Sequence, residues 1–249
     1  MNKTSLVFFA CFLLLVKAAY SSQVEVGVSQ VLDGSIIAVS YDSSSDPVNI
    51  SEEFYNTGSV PYKARVKAEI FNSSDIIFSG WSSKEVFMPG DKKISDIYWY
   101  ASSPGDYSAK LKVYFGDIIK EYKKIDFSVD SVPESEDVFD ISNFRTYDSY
   151  VLFDVQSSRN TSNVVIIPLD YTPGWIFEQK EIPSIAENSS KYIMLSYQPS
   201  LWAPSTVKMA IVSDGGRYYT EKTLEMNKLD GLAGMFYYVV DSIRFAISG

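Results

Sequence analysis

Between residues 89 and 129 the chain alternates apolar and polar positions with period two. Tyr107, Ala109, Leu111, Val113 and Phe115 fall on one face, and Ser108, Lys110, Lys112 and Tyr114 on the other. Side chains alternate across a strand, so this spacing predicts a half-buried antiparallel strand. An apolar and aromatic run over 94–100 precedes it, opened by the turn Pro89-Gly90-Asp91. Pro104-Gly105-Asp106 joins the two, and Gly116-Asp117 leads into a third strand over 118–129. Three strands joined by Pro/Gly/Asp turns predict a meander at the edge of a sandwich.

The same period recurs on both sides. Strands are expected at 24–28, 35–41 and 48–55, the last ending in Asn56-Thr57-Gly58, residues that tolerate a left-handed backbone. Over 62–71, Ala64, Val66, Ala68 and Ile70 oppose Lys63, Arg65, Lys67 and Glu69. The charged set reads as a solvated sheet face, with a basic stripe for an anionic ligand as the functional alternative. Shorter strands follow at 75–81 and 85–88. Residues 131–137 are acidic and proline-punctuated, which marks a short semi-extended linker. Strands resume at 139–145, 149–155, 163–170, 191–197 and 206–212, and Asp214-Gly215-Gly216 is a hairpin turn into 217–226. The fold class is all-β: two tandem antiparallel sandwiches at 23–130 and 138–226. Their similar length and strand order suggest a diverged repeat.

Both termini break the pattern. Lys3 followed by the apolar run 6–16 and Ala19-Tyr20-Ser21 reads as a secretory signal peptide over 1–22, too short to span a bilayer. Over 227–249 the spacing turns helical. Leu232, Met235, Phe236, Val239, Val240, Ile243 and Ile247 share one face, opposite Asp241 and Arg244. Each of those charges costs roughly 2.5–3.5 kcal/mol at a bilayer centre against about 0.3–0.6 returned per large apolar residue, so an amphipathic helix is favoured over a span. Leu232, Phe236, Val239, Val240, Ile243 and Ile247 would then meet a membrane surface, the second sandwich or another copy.

Composition narrows the chemistry. The net charge is −9, from 22 Lys and Arg against 31 Asp and Glu. An acidic chain repels phosphate backbones, so nucleic acid is not an expected partner. There is no histidine, which removes the usual general base and metal ligand. The single cysteine, Cys11, lies in the leader, so the mature chain has no disulfide or thiol nucleophile. A disulfide-free exported sandwich points to a microbial surface protein rather than an animal one.

The acid pairs Glu52-Glu53, Glu134/Glu136/Asp137 and Asp214 do not by spacing make the two facing carboxylates a glycosidase needs. Asp42-Ser43-Ser44-Ser45-Asp46 alternates oxygens but lacks the closing glutamate of a calcium loop, so turn chemistry is preferred. No catalytic, metal or cofactor site is expected. Tyr98 and Tyr100 lie opposite Ile97 and Trp99, which makes them candidate exposed contacts for a sugar or a protein. Trp175 and Trp202, both near prolines, read as core or loop plugs. Asn49, Asn72, Asn160 and Asn188 begin glycosylation sequons, three in turn-like contexts and Asn49 on an expected strand. Archaea and eukaryotes use that acceptor widely.

Two resemblances follow from the turn and core residues. Asn56-Thr57-Gly58, the alternating strand after it, Met88-Pro89-Gly90-Asp91, Trp99 and Pro104-Gly105-Asp106-Tyr107 resemble CARDB-type immunoglobulin-like modules over about 24–129. Pro173-Gly174-Trp175, Ile182-Pro183 and the turn 187–190 are similar to the NPCBM-associated sandwich found beside secreted glycosidases, over about 138–226. Ala203-Pro204-Ser205 departs from that second pattern. The resemblances imply an extracellular, non-catalytic sandwich pair and transfer no binding residue. The expected protein is a secreted or cell-surface, archaeal-type glycoprotein with a non-catalytic structural or adhesive role, binding another envelope protein or a glycan through its immunoglobulin-like domains. The alternative is a carbohydrate-binding accessory module of a secreted hydrolase system.

Overall fold

The computed structural model describes residues 30–44, 46–122, 124–199, 205–227 and 240. The expected leader, the strand at 24–28, Trp202 and, apart from Asn227 and Val240, the C-terminal helix lie outside the described residues. Among the described residues, no helix is long and apolar enough to cross a membrane.

The first half forms nine strands: β1 (Ser35–Asp42), β2 (Val48–Tyr55), β3 (Tyr62–Asn72), β4 (Asp75–Trp81), β5 (Glu85–Phe87), β6 (Lys92–Trp99), β7 (Gly105–Phe115), β8 (Ile118–Glu121) and β9 (Ile125–Val129). The second half forms β10 (Phe139–Thr146), β11 (Tyr150–Ser157), β12 (Thr161–Asp170), β13 (Ile176–Phe177), β14 (Lys180–Ile185), β15 (Ser189–Gln198), β16 (Ser205–Ser213) and β17 (Tyr218–Met226). Every strand pairing is antiparallel.

Sheet β1-β2-β6 covers sheet β4-β3-β7-β8, to which β5 and β9 add. Ile50, Phe54, Ile97 and Trp99 from the first meet Val66, Ala68, Leu111 and Val113 from the second in one core. Sheet β10-β11-β15-β13 covers β14-β12-β16-β17 around Phe153, Leu195, Ile166 and Met209. The architecture is thus all-β and sandwich-like, as the alternation predicts.

The predicted edge meander is not what forms. β6 pairs with β2, whereas β7 pairs with β3 and sits centrally in the other sheet. Ile97 and Trp99 on β6 and Tyr107 and Ala109 on β7 are all buried. Two apolar faces cover each other only from opposite sheets, so the turn after β6 crosses the sandwich. The Trp99 and Tyr107 rings meet across the core, centroids 4.7 Å apart. The strand expected at 118–129 becomes β8 and β9. Phe115 pairs Ile118 and Ala109 pairs Ile125, so the register moves by one residue between them, as at a β-bulge.

β12 contributes to both cores. Val164 and Ile166 face the second core, while Val165 and Ile167 on its other face belong to the first. On β16, Met209 and Ile211 divide from Ala210 and Val212 in the same way. This sheet is buried on both faces, which is why 164–168 reads as an uninterrupted apolar run. The described residues from Leu32 onward form one compact unit. The 131–137 segment is fastened rather than loose: Glu136 N–H donates to the Arg217 carbonyl and Tyr219 N–H donates to the Glu136 carbonyl.

Candidate binding groove between the sandwiches

The outward face of β3 carries Lys63, Arg65, Lys67 and Glu69 at every second position because the strand is half-buried. A solvated face was expected for all four. Arg65 is only 9% and Glu69 only 8% exposed. Glu69 lies between Lys67 at 2.7 Å and Lys112 at 3.1 Å, the latter on β7. Burial pushes its carboxyl up, but hydrogen bonds from Lys67 and Lys112 outweigh that and hold it below the ordinary value. Arg65 interacts with Glu178, which follows β13 in the second sandwich. Burial raises the Glu178 carboxyl, against the attraction of Arg65.

Where the second sandwich leans over this face, a groove of about 980 Å³ opens. Its floor is Lys63, Arg65 and Lys67 with Trp81 from β4 and Tyr114 from β7; its far wall is the 170–176 segment. The Trp81 and Tyr114 rings are tilted together, centroids 5.0 Å apart, and the Lys67 ammonium lies 5.6 Å from the Trp81 ring centroid. Lys84 adds a fourth cation on the rim, and Asp170 an exposed carboxylate on the far wall. Tyr171 closes the groove from beneath by donating to the Ser79 carbonyl at 3.0 Å. Burial raises the Tyr171 hydroxyl, so it stays a proton donor.

The candidate aromatics lie on the opposite side of the first sandwich, along β6, and are half-buried against the second. Tyr98 exchanges two backbone hydrogen bonds with the side chain of Gln179. Its N–H donates to Oε1 and its carbonyl accepts from Nε2, both at 2.7 Å. Burial and a hydrogen bond to Glu181 raise the Tyr98 hydroxyl. Tyr100 stacks on Tyr219 with centroids 4.3 Å apart. These rings therefore hold the two sandwiches together instead of standing free.

The sequon asparagines lie apart from the groove. Asn72, Asn160 and Asn188 are exposed: Asn72 ends β3, Asn160 precedes β12, and Asn188 sits in a turn with φ of 55°. Asn49 is half-buried on β2 and donates to Asp96 at 3.3 Å. Glu52 and Glu53 point to opposite faces of β2, and Asp214 is occupied by Ser162, so neither makes a carboxylate pair. Asp42 accepts from Ser44 N–H at 2.9 Å, a turn bond. Trp175 is buried against Tyr197, as a core plug should be. Among the described residues, no group of three or more Asp, Glu, His or Cys side chains is placed to hold a metal.

The groove is not legible in the sequence because its floor and its far wall come from different halves of the chain. The readable signal was the cationic alternation on β3, repeated by Lys110 and Lys112 on its neighbour β7.

No protein-family model matches the chain, and no curated protein matches it by sequence. Among solved structures, a red sea bream transglutaminase is similar at 11% identity with a TM-score of 0.27, over 81% of this chain and 32% of that one. The YadV chaperone is similar at 11% identity and TM-score 0.27, over 78% of this chain and 99% of that one. An exo-chitosanase from Amycolatopsis orientalis is similar at 9% identity and TM-score 0.25, over 75% of this chain and 26% of that one. The chain thus spans about a third of the transglutaminase and a quarter of the chitosanase. At such TM-scores none of these likenesses enters the reading that follows.

Proposed function

We propose that this chain is a secreted or cell-surface binding protein, non-catalytic, whose paired immunoglobulin-like sandwiches hold another envelope component in the groove between them. The observation that carries the reading is the groove itself. Its walls come from two sandwiches fixed to each other by a shared apolar layer, and it gathers cations and aromatic rings on a strongly acidic chain. Rigid walls favour binding because little order has to be imposed on association. The groove side chains suit recognition: its lysines, arginine and aromatic rings position a ligand, and among the described residues Asp170 is the single carboxylate in the lining, without a second acid facing it.

Fractionation of source cells into medium, envelope and cytosol, with the chain followed by antibody, tests the location. The chain is expected in the envelope or medium; retention of the whole pool in the cytosol would refute it. The binding role is tested by adding purified wild-type chain and the K63E/K84E variant to washed envelopes. Retention of wild type and loss of the variant is expected, and equal retention of both refutes the groove as the binding surface.

A further inference from the structure

We infer that the groove is a site for an acidic oligosaccharide, its carboxylates meeting Lys63 and Lys84 and a sugar ring lying against Tyr114. This rests on the groove being a binding surface and adds the class of ligand it takes.

Charge comes first. Of the four cations in the groove, two are already engaged within the fold: Arg65 with Glu178 and Lys67 with Glu69. Lys63 and Lys84 are exposed, and among the described residues neither ammonium is in an ion pair. Lys63 faces whatever enters, Lys84 is drawn toward Glu178 as well, and the exposed carboxylate of Asp170 lies in the same lining. The four groove cations outnumber the carboxylates beside them, Asp170, Glu178 and the Glu69 that Lys112 also holds, so on a chain of net charge −9 the groove keeps a positive balance that favours an anion.

The floor decides between a sugar and a peptide. An extended peptide gains much of its affinity by adding to an exposed strand edge. Here the floor is β3, whose backbone is already paired with β4 and β5 on one side and β7 on the other. No main-chain ladder is offered, only side chains. A pyranose needs none: its apolar ring face covers an aromatic ring and its hydroxyls take side-chain partners. Tyr114 lines the groove, is half-buried and is backed by Trp81, so its ring is held at a fixed tilt. The volume is at the upper end of the range for small-ligand sites, about 300–1,000 Å³.

The probes are trigalacturonate, its fully methyl-esterified form, and triglutamate, each titrated by calorimetry and by tryptophan fluorescence with W81F as the control. Trigalacturonate should bind, the neutral ester should not, and added salt should weaken binding. K63E/K84E should weaken it about tenfold, since two rim charges at ~0.7 kcal/mol each amount to a decade. Y114A should weaken it with an unchanged salt dependence. Both variants lie on the surface, and an unchanged melting temperature shows that they fold. If triglutamate binds and trigalacturonate does not, the saccharide assignment is overturned while the groove remains a binding surface. If no anion binds and K63E/K84E is retained by envelopes as well as wild type, both fall together.

Discussion

Glu52 sits between Ile50 and Phe54 on the inward face of β2, paired across the sheet with Val39 on β1 and Ser95 on β6. It is fully buried, and both its carboxylate oxygens lack a hydrogen-bond partner. A carboxylate without partners in a core keeps its proton, and burial pushes this one up to about 8. The unfolded chain releases the same proton near 4.5. The folded state therefore binds the extra proton between those values. The stability this contributes is fully present below about pH 4.5 and is lost as pH rises through 8, a loss on the order of 4 kcal/mol. Glu52→Gln should remove that decline and raise the melting temperature at pH 8.5 while changing it little at pH 5. Melting curves at the two values check it, and a parallel pH dependence in both proteins would refute it. The sequon asparagines separate at the same scale. Glycosylation needs an exposed amide, so Asn72, Asn160 and Asn188 should carry glycan and half-buried Asn49 should not. Intact-glycopeptide mass spectrometry of protein from its native host reads this directly; an occupied Asn49 beside three empty sites would contradict it.

Among the elements, the seam between the sandwiches rests on a side chain that imitates a strand. Gln179 offers its amide to β6 as a neighbouring strand offers its backbone, satisfying the N–H and C=O of Tyr98 on an edge that would otherwise be buried unpaired. Gln179→Leu keeps the bulk and removes both bonds. It should cost about 1–3 kcal/mol and speed amide exchange at Tyr98; urea unfolding and hydrogen exchange measure the two effects. No feature of the sequence around Gln179 announces this role, because its partner lies 81 positions away. The alternation on β3 and β7 was legible, since apolar residues recur there at every second position. What covers each face was not. Period two reports that Trp99 and Tyr107 are inward, but not that they are inward from opposite sheets. Likewise Val164 to Ile167 on β12 reports burial on both faces without saying that the second face meets another sandwich. The groove shares that limit: Lys63, Arg65 and Lys67 were visible as a stripe, whereas Glu178 and Tyr171, which partly cover and enclose it, come from the other half of the chain.

At the scale of the whole molecule, the shared layer changes how the protein should unfold. Domains joined by small polar interfaces move and melt separately, and a large apolar interface is the exception. Val165, Ile167, Ala210 and Val212 belong structurally to the second sandwich yet lie in the core cluster of the first, each at 5% exposure or less. Separating the halves would bring all four to water, together with the stacked pair Tyr100–Tyr219 and the Gln179 bonds. Neither half then has a stable state in which the other has melted. Calorimetry should show one transition whose calorimetric and van't Hoff enthalpies agree, not two half-sized ones. Ile167→Asp places a charge in the shared layer without touching the inner core of either sandwich, where burial of an unpaired charge is costly. That variant should melt at a lower temperature and in two resolved steps, and its groove, whose walls depend on the seam, should lose retention on envelopes along with its cooperativity. Two separate transitions in the wild-type protein would show instead that the sandwiches are independent and that the groove is not rigid.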